Sequence, residues 1–141
     1  MAMEHVNDWN TQIIKEFREN GGKVGGPFEG GSLLLLTTTG AKSGKQRVNP
    51  LAYMPDGDRL AIFASKAGAP TNPDWYHNLV AYPQASVEVG TETFDVTAIV
   101  ADSEERDRLY AKIAKSNPGF AEYQKKTTRK IPVVLLERRK G

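Results

Sequence analysis

Residues 33–50 have the sequence LLLLTTTGAKSGKQRVNP, in which an apolar run enters a polar loop and an extended pattern then resumes. The apolar run gives the loop a fixed base, and its glycines let the backbone turn and present N–H groups. Lys42, Lys45 and Arg47 add positive charge and charge-assisted hydrogen bonds. The stretch predicts a β-hairpin whose loop holds an anion, and a solvated turn between two strands is the alternative.

The glycine spacing of this loop excludes a nucleotide-triphosphate P-loop. That motif needs four residues between its glycines, then Lys and Ser or Thr at the start of a helix. Here three residues separate Gly40 from Gly44, and Gln46 stands where Ser or Thr is needed. Residues 48–50 are a poor helix start, so a nucleotide triphosphatase is not expected.

Length and composition favour a single domain over residues 1–141, because 141 residues with 39% hydrophobic and 26% charged content suit one globular core. A net charge of +2 gives no indication of nucleic-acid binding. There is no cysteine, and neither His5 nor His77 has a second histidine at ligand spacing, so no metal is expected. The chain lacks an apolar run of membrane-spanning length and a secretion signal, which favours the cytoplasm.

The first 31 residues are interpreted as a helix followed by a glycine-rich connector. Apolar side chains recur at spacings of three and four over residues 4–19, which predicts an amphipathic helix. Packing on the domain is the favoured role, and a lid or a helix in peripheral contact with a membrane is the alternative. Six glycines between Gly21 and Gly31 then predict a flexible connector.

The rest of the chain predicts about six strands, mostly joined by hairpin turns such as Pro55-Asp56-Gly57-Asp58 and Gly90-Thr91. The predicted strands are 33–38, 48–54, 59–64, 86–89, 93–100 and 131–136. Pro132 places the last one at an edge or at a strand start. The pattern favours a mostly β (α+β) fold in which an antiparallel sheet is closed or half-closed into a barrel.

A short helix is predicted from Asn72 as N-cap and Pro73 as first helical residue to about position 81. Its N-terminus offers free N–H groups, with Lys66 before it and Trp75 in its first turn. This combination suits a ligand with a flat ring and an acidic tail. Burial of Trp75 in the core is the alternative.

Two further helices are predicted before the last strand. A capping box of Asp102 and Glu105 starts one, and Asn117-Pro118 starts the next. In the latter, Tyr123 either packs or offers its phenol O–H to a substrate oxygen. A solvated face is expected for the basic run of Lys125, Lys126, Arg129 and Lys130.

Three ordered segments, 37–50, 64–68 and 72–79, together resemble the deazaflavin (F420)-dependent nitroreductase and quinone reductase family, and the resemblance covers about residues 9–137. It implies an FMN-binding-like split β-barrel that binds coenzyme F420, an 8-hydroxy-5-deazaflavin with an acidic phospholactyl-oligoglutamate tail. It also implies an oxidoreductase that passes a hydride from the reduced coenzyme to a quinone, and in some members to a nitroaromatic compound.

The family pattern also implies a set of cofactor-binding positions. Lys42 and Arg47 match cations that bind the tail, and Ala41 replaces an arginine of the best-known member, for which Lys45 could partly compensate. Ser65 and Lys66 match residues beside the phosphate and the ring. The whole set is Ala41, Lys42, Ser43, Gly44, Lys45, Arg47, Ala64, Ser65, Lys66, Asp74, Trp75 and Asn78.

Phe120 and Tyr123 match the substrate end of the family pattern. A nitroimidazole-activating member has several tyrosines there, whereas this chain has Asn117 and Phe120 at two of those positions, which favours quinones as acceptors. Ser65 or Tyr123 could polarise the acceptor carbonyl as catalytic residues. A non-catalytic deazaflavin- or lipid-binding carrier and an FMN-dependent oxidoreductase on the same barrel are the alternatives, and the natural acceptor and oligomeric state stay open.

Overall fold

The computed structural model describes residues 2–22 and 33–139. The elements in chain order are α1 (Ala2–Glu19), β1 (Leu33–Thr39), β2 (Gln46–Asp56), β3 (Arg59–Phe63), α2 (Asp74–Ala81), β4 (Gln84–Val89), β5 (Glu92–Val100), α3 (Ser103–Ser116), α4 (Pro118–Lys125) and β6 (Val133–Arg138). Each strand and helix predicted from the pattern is present. The predicted glycine-rich connector lies, from residue 23 onward, outside the described residues.

The six strands form one closed antiparallel barrel in the order β1-β2-β3-β6-β5-β4. The last strand, β6, lies between β3 and β5 and pairs with both. Pro132 therefore stands immediately before a central strand, where its missing N–H is not needed by the ladder that begins at Val133. Strands β1 and β4 close the barrel through three residue pairs, the last of which joins Thr37 to Ser86. The barrel expected from the hairpin pattern is confirmed.

The four leucines of β1 are buried on both faces of the sheet. Leu34 and Leu36 point into the barrel, where α2 closes the core with Trp75 and Leu79. The alternate pair, Leu33 and Leu35, lies under α1. A strand buried on both faces needs a continuous apolar run rather than an alternating one, which explains the sequence of this segment.

Helix α1 packs on the outside of the barrel through Ile13 and Phe17, which are 7% and 1% exposed. Arg18 adds a two-pronged ion pair to Glu88 on β4, with nitrogen–oxygen distances of 2.9 and 2.8 Å. The packing role predicted for this helix is thus observed. No helix within the described residues is long and apolar enough to cross a membrane.

Helices α3 and α4 cover the opposite side of the barrel. Their apolar side chains form a second cluster with β3 and β6, made of Ala61, Phe63, Leu109, Tyr110, Phe120, Ile131, Val133 and Leu135. Asn117 caps α4 as predicted, because its side chain accepts a hydrogen bond from the backbone N–H of Gly119. This cluster fixes α4 against the end of β3.

Two predicted caps differ in detail from the structure. Helix α2 begins at Asp74 with Pro73 as its N-cap, one residue later than expected, and Pro73 makes no side-chain cap. Asp102 caps α3 by accepting from the N–H of Glu105 at 2.9 Å. The Glu105 carboxylate, however, accepts from Arg59 at 3.1 Å, so its half of the capping box does not form.

Candidate functional site

The loop between β1 and β2, residues 40–45, is closed on itself by hydrogen bonds. The Gly40 N–H donates to the Lys45 carbonyl at 2.7 Å, and the Gly44 N–H donates to the Gly40 carbonyl at 2.9 Å. Gly44 has φ +71°, a left-handed conformation that glycine adopts without steric cost. A Cβ on Gly40 would lie 2.6 Å from the Ser43 hydroxyl oxygen. The loop therefore has one defined shape that requires both glycines.

The side chain of Asn78 in α2 fastens this loop to the barrel. Its amide oxygen accepts from the Ala41 N–H at 2.9 Å, and its amide nitrogen donates to the Thr38 hydroxyl at 3.1 Å. Asn78 and Thr38 are 7% and 1% exposed, so the bond between them is shielded from water, whereas the bond to Ala41 is partly buried. Unpaired buried polar groups are costly, and this arrangement satisfies them while holding the loop, the strand and the helix together.

A cleft of about 780 Å³ lies against the loop, between α1, β2 and α2. It is lined by Thr11, Ile14, Gly40, Ala41, Lys42, Ser43, Gln46, Arg47, Val48, Asn49, Asp74, His77 and Asn78. The hairpin and α2 thus form two of its sides, as the anion-holding interpretation of the loop requires.

The cleft carries positively charged side chains that have no ion-pair partner among the described residues. Lys42, Lys45 and Arg47 are exposed, and within the described residues none of their side chains makes a hydrogen bond or an ion pair. Of the residues whose side chains the structure describes, Lys42 and Arg47 line the cleft directly, together with one carboxylate, that of Asp74, in the first turn of α2. A carboxylate there interacts favourably with the helix N-terminus. The two unpaired cations make the cleft suited to an anionic ligand.

A second loop, residues 64–72, connects β3 to α2. Ala64 is fully buried in the core, Ser65 is half-buried and Lys66 is exposed, with its ammonium 3.3 Å from the Thr71 hydroxyl. Lys66 also has φ +47°, in the left-handed region that non-glycine residues rarely adopt. These residues do not line the cleft, so the predicted site is divided between two loops.

Arg129 holds the second loop, which contradicts the solvated face expected for the basic run that contains it. Its guanidinium donates to the carbonyls of Ala64, Ser65 and Ala69 at 3.0, 2.9 and 3.0 Å, and to the Asn72 side-chain oxygen at 2.7 Å. Burial lowers the pKa of this guanidinium from its ordinary value. The acceptors lie about 60 residues away in sequence, and no local pattern indicates that contact.

At the predicted substrate end, Phe120 is 8% exposed, packs edge-on against Tyr110 and Tyr123, and lies in a tilted contact with Phe63. Tyr123 is half-buried. The hydroxyls of Tyr123 and Ser65 make no hydrogen bond to the described residues, and no buried polar side-chain atom there is left unpaired. Both hydroxyls therefore reach solvent and are free to bind a ligand oxygen.

The twelve predicted cofactor positions fall into four groups. Six line the cleft, namely Ala41, Lys42, Ser43, Arg47, Asp74 and Asn78. Gly44 and Lys45 lie in the same loop without lining the cleft, and Ala64, Ser65 and Lys66 lie in the second loop. Trp75 lies in the barrel core and is 5% exposed, which agrees with the alternative prediction that this residue packs in the core.

Several lining residues were not predicted. His77 is exposed and faces the cleft, and Thr11 and Ile14 enter it from α1. The spacing of apolar residues in α1 predicts one apolar face. It does not predict that residues beside that face line a cleft. Among the described residues, no group of three or more His, Asp or Glu side chains is placed to hold a metal ion.

Comparison with solved structures defines the class of fold. An FAD-binding protein from Mesorhizobium loti has the same fold at 16% identity, with a TM-score of 0.52, covering 92% of this chain and 87% of that one. An F420-H2 dependent reductase, FDR-A, has a TM-score of 0.68 at 43% identity and covers 75% of this chain and 94% of its own. A third structure, described as a domain-swapped dimer, has a TM-score of 0.71 at 37% identity, covering 97% and 100%. The fold is the FMN-binding-like split barrel of FDR-A.

Sequence comparison then defines the family. The profile of F420H(2)-dependent quinone reductases matches residues 9–138. The F420H(2)-dependent quinone reductase Rv1261c of Mycobacterium tuberculosis is 42% identical over 127 residues, which are 87% of this chain and 85% of the relative. The chain therefore belongs to the F420H(2)-dependent quinone reductase family, and the resemblance inferred from its three motifs is confirmed.

Proposed function

We propose that this enzyme transfers a hydride from reduced coenzyme F420 to a quinone, and that the cleft beside the 40–45 loop binds the acidic tail of the coenzyme. The observation that carries the proposal is the pair of unpaired cations, Lys42 and Arg47, in a cleft whose loop is fixed by Asn78. Family membership supports the reaction, and the geometry supports the location of the tail.

The residues present fit a polyanionic tail. Lys42 and Arg47 offer charge-assisted hydrogen bonds, each contributing roughly 1.5–3 kcal/mol when shielded and less when exposed. Both cations line the same cleft, and Lys42 stands on a loop of defined shape, which lowers the ordering cost of association. Lys45 adds a third positive charge within the same loop, although Ala41 offers none.

The bound coenzyme supplies the hydride, and the chain supplies position and electrostatics. The Ser65 hydroxyl and the Tyr123 phenol are the available donors for an acceptor oxygen on which negative charge develops. The buried Phe120 ring packs against the Tyr123 ring and supports the position of its phenol. No side chain is required as a nucleophile.

Quinones are the proposed acceptors in preference to nitroaromatic compounds. The Asn117 side-chain oxygen caps α4, and Phe120 has no hydrogen-bonding group, so neither supplies the phenol O–H that a tyrosine at these positions would offer to a nitro group. Membrane contact through α1 is a weaker proposal, because Ile13 and Phe17 are used in packing on β1.

A fluorescence titration with F420 and FMN, followed by stopped-flow oxidation of F420H2 by menadione, tests the proposal. We expect binding of F420 but not FMN, and turnover with menadione. Binding without turnover would indicate a carrier, and yellow purified protein with flavin absorbance would indicate an FMN enzyme.

A further inference from the structure

Arg129, between α4 and β6, makes an unusually complete set of contacts with a distant loop. One terminal nitrogen of its guanidinium donates to the Ala64 carbonyl and to the Asn72 side-chain oxygen. The other terminal nitrogen donates to the Ser65 carbonyl, and the Nε–H donates to the Ala69 carbonyl. Among the described residues it has no carboxylate partner. A planar guanidinium presents its donors in a fixed fork, so four bonds set the acceptors of the loop in one relative position.

The loop that Arg129 holds has a conformation that needs support. Lys66 keeps its left-handed φ of +47°, which a non-glycine residue retains only where its surroundings determine it. Gly68 has φ +83° and packs on the last turn of α4, where a Cβ would lie 2.9 Å from the Tyr123 carbonyl oxygen. The second loop is therefore fixed both by Arg129 and by contact with α4.

Arg129 is itself held by the residue after Tyr123. The Gln124 side-chain nitrogen donates to the Arg129 carbonyl at 2.8 Å. The Gln124 side-chain oxygen accepts from the Ile131 N–H at 3.1 Å and from Arg106 of α3 at 2.5 Å. A continuous set of hydrogen bonds thus runs from α3 and α4 through Arg129 to the carbonyl of Ser65.

We propose that Arg129 is a positioning residue for hydride transfer, which holds the 64–72 loop against α4 so that the hydroxyls of Ser65 and Tyr123 keep one fixed relation. The inference rests on the proposed function, in which these hydroxyls meet the acceptor. Arg129 acts through the loop and contacts no reacting group. Lys42 and Arg47, which are proposed to bind the tail, lie on the β1–β2 hairpin, whereas Ala64, Ser65 and Lys66 are predicted cofactor positions on the loop that Arg129 holds. Loss of Arg129 should therefore lower coenzyme affinity somewhat and turnover more.

Steady-state kinetics of Arg129→Lys and Arg129→Gln with F420H2 and menadione, beside F420 titrations, test this inference. A shift of about 1 Å at a reacting group costs up to a hundredfold, so we expect kcat to fall at least about tenfold in both variants. The dissociation constant of F420 should rise by a smaller factor than kcat falls, because Lys42 and Arg47 remain in place. Lys130→Gln is the matched control, since Lys130 is the next residue and forms an exposed pair with Asp107.

Chemical rescue separates positioning from general stability. Guanidinium ion added to Arg129→Ala should restore part of kcat, whereas methylammonium should not, because only guanidinium reproduces the donor fork. If the Arg129 variants do not fold, Asn72→Ala decides the question, since it removes one acceptor. We then expect kcat to fall about threefold with unchanged F420 affinity.

Absence of turnover in the wild-type enzyme would overturn both this inference and the proposed function. Normal wild-type turnover with kcat within twofold in Arg129→Lys, or in Asn72→Ala if the former does not fold, would overturn this inference alone. Equal losses of kcat and F420 affinity, or no selective rescue by guanidinium, would reduce Arg129 to a structural residue.

Discussion

The side-chain amide of Asn78 makes two hydrogen bonds that connect α2 to the 40–45 loop and to β1. Its oxygen holds the loop at Ala41, and its nitrogen holds β1 at Thr38, while its backbone belongs to α2. The family pattern assigns Asn78 to cofactor binding. Both of its polar ends have protein partners, so its contribution to the cleft is mainly the position of the loop that carries Lys42.

Asn78→Ala should therefore weaken both folding and coenzyme binding. Removing the amide leaves the Thr38 hydroxyl and the Ala41 N–H without partners, which costs about 1–3 kcal/mol of unfolding free energy. Urea denaturation measures this loss, and Thr38→Val is the control that removes one partner with little change of shape. A double-mutant cycle showing no coupling between the two positions would contradict the assignment.

Lys42→Ala should weaken F420 binding with little change in stability. The side chain is exposed and has no partner among the described residues, so folding does not depend on it. Loss of one charge-assisted contact predicts a rise of about ten- to a hundredfold in the dissociation constant at low salt, shrinking as salt screens the charge. Fluorescence titration measures the constant, with Lys112→Ala on α3 as an exposed control outside the cleft. Equal affinities for the two variants would refute the tail site.

At the scale of elements, α1 is both a cover for β1 and a wall of the cleft. Phe17 is 1% exposed and packs with Leu33 and Leu35, whereas Thr11 and Ile14 line the cleft. The ion pair of Arg18 with Glu88 is largely solvated, with Arg18 52% exposed. Apolar packing rather than charge should hold this helix in place.

Phe17→Ala should consequently cost about 3–5 kcal/mol of unfolding free energy, because truncating a buried phenylalanine leaves a cavity. Arg18→Ala should cost less than about 1 kcal/mol, as exposed ion pairs contribute little. Chemical denaturation compares the two variants. F420 affinity should fall in the first and not in the second, and similar costs for both would show that the pair anchors the helix.

The elements were predictable where one local pattern decides the structure. The leucine run of β1, the period of α1 and the Asn117-Pro118 start of α4 each determine an element through local physical chemistry. The Glu105 half of the capping box failed because Arg59, distant in sequence, competes for the carboxylate. The solvated position predicted for Arg129 is wrong for the same reason, since its partners are carbonyls that only the closed barrel brings within hydrogen-bonding distance.

At the scale of the whole molecule, a charged network joins the β2–β3 turn to α3. Asp56 lies 2.8 Å from Arg59 and 3.3 Å from Arg108, and Arg59 also pairs with Glu105. Hydrogen bonds from Arg108 and then Arg59 hold the pKa of the Asp56 carboxyl below its ordinary value. The Asp56 side chain is 14% exposed.

A lowered folded-state pKa means that the Asp56 contribution to stability is present above its unfolded pKa, near 4, and is lost as pH falls through the folded value. Asp56→Asn should therefore be less stable than wild type at pH 7, with the difference shrinking below about pH 4. Urea unfolding at several pH values measures this. Asp58→Asn, at an exposed turn position without an ion pair among the described residues, is the matched control, and a constant Asp56 difference across the range would contradict the network.

The place of β6 between β3 and β5 has a consequence for synthesis on the ribosome. Until residues 133–138 emerge, β3 and β5 each keep an open edge, and α3 and α4 lack the strand that they cover. Open edges invite pairing with other chains. A nascent chain stalled before β6 is thus prone to aggregation, so arrested fragments of this protein should depend on chaperones or be degraded.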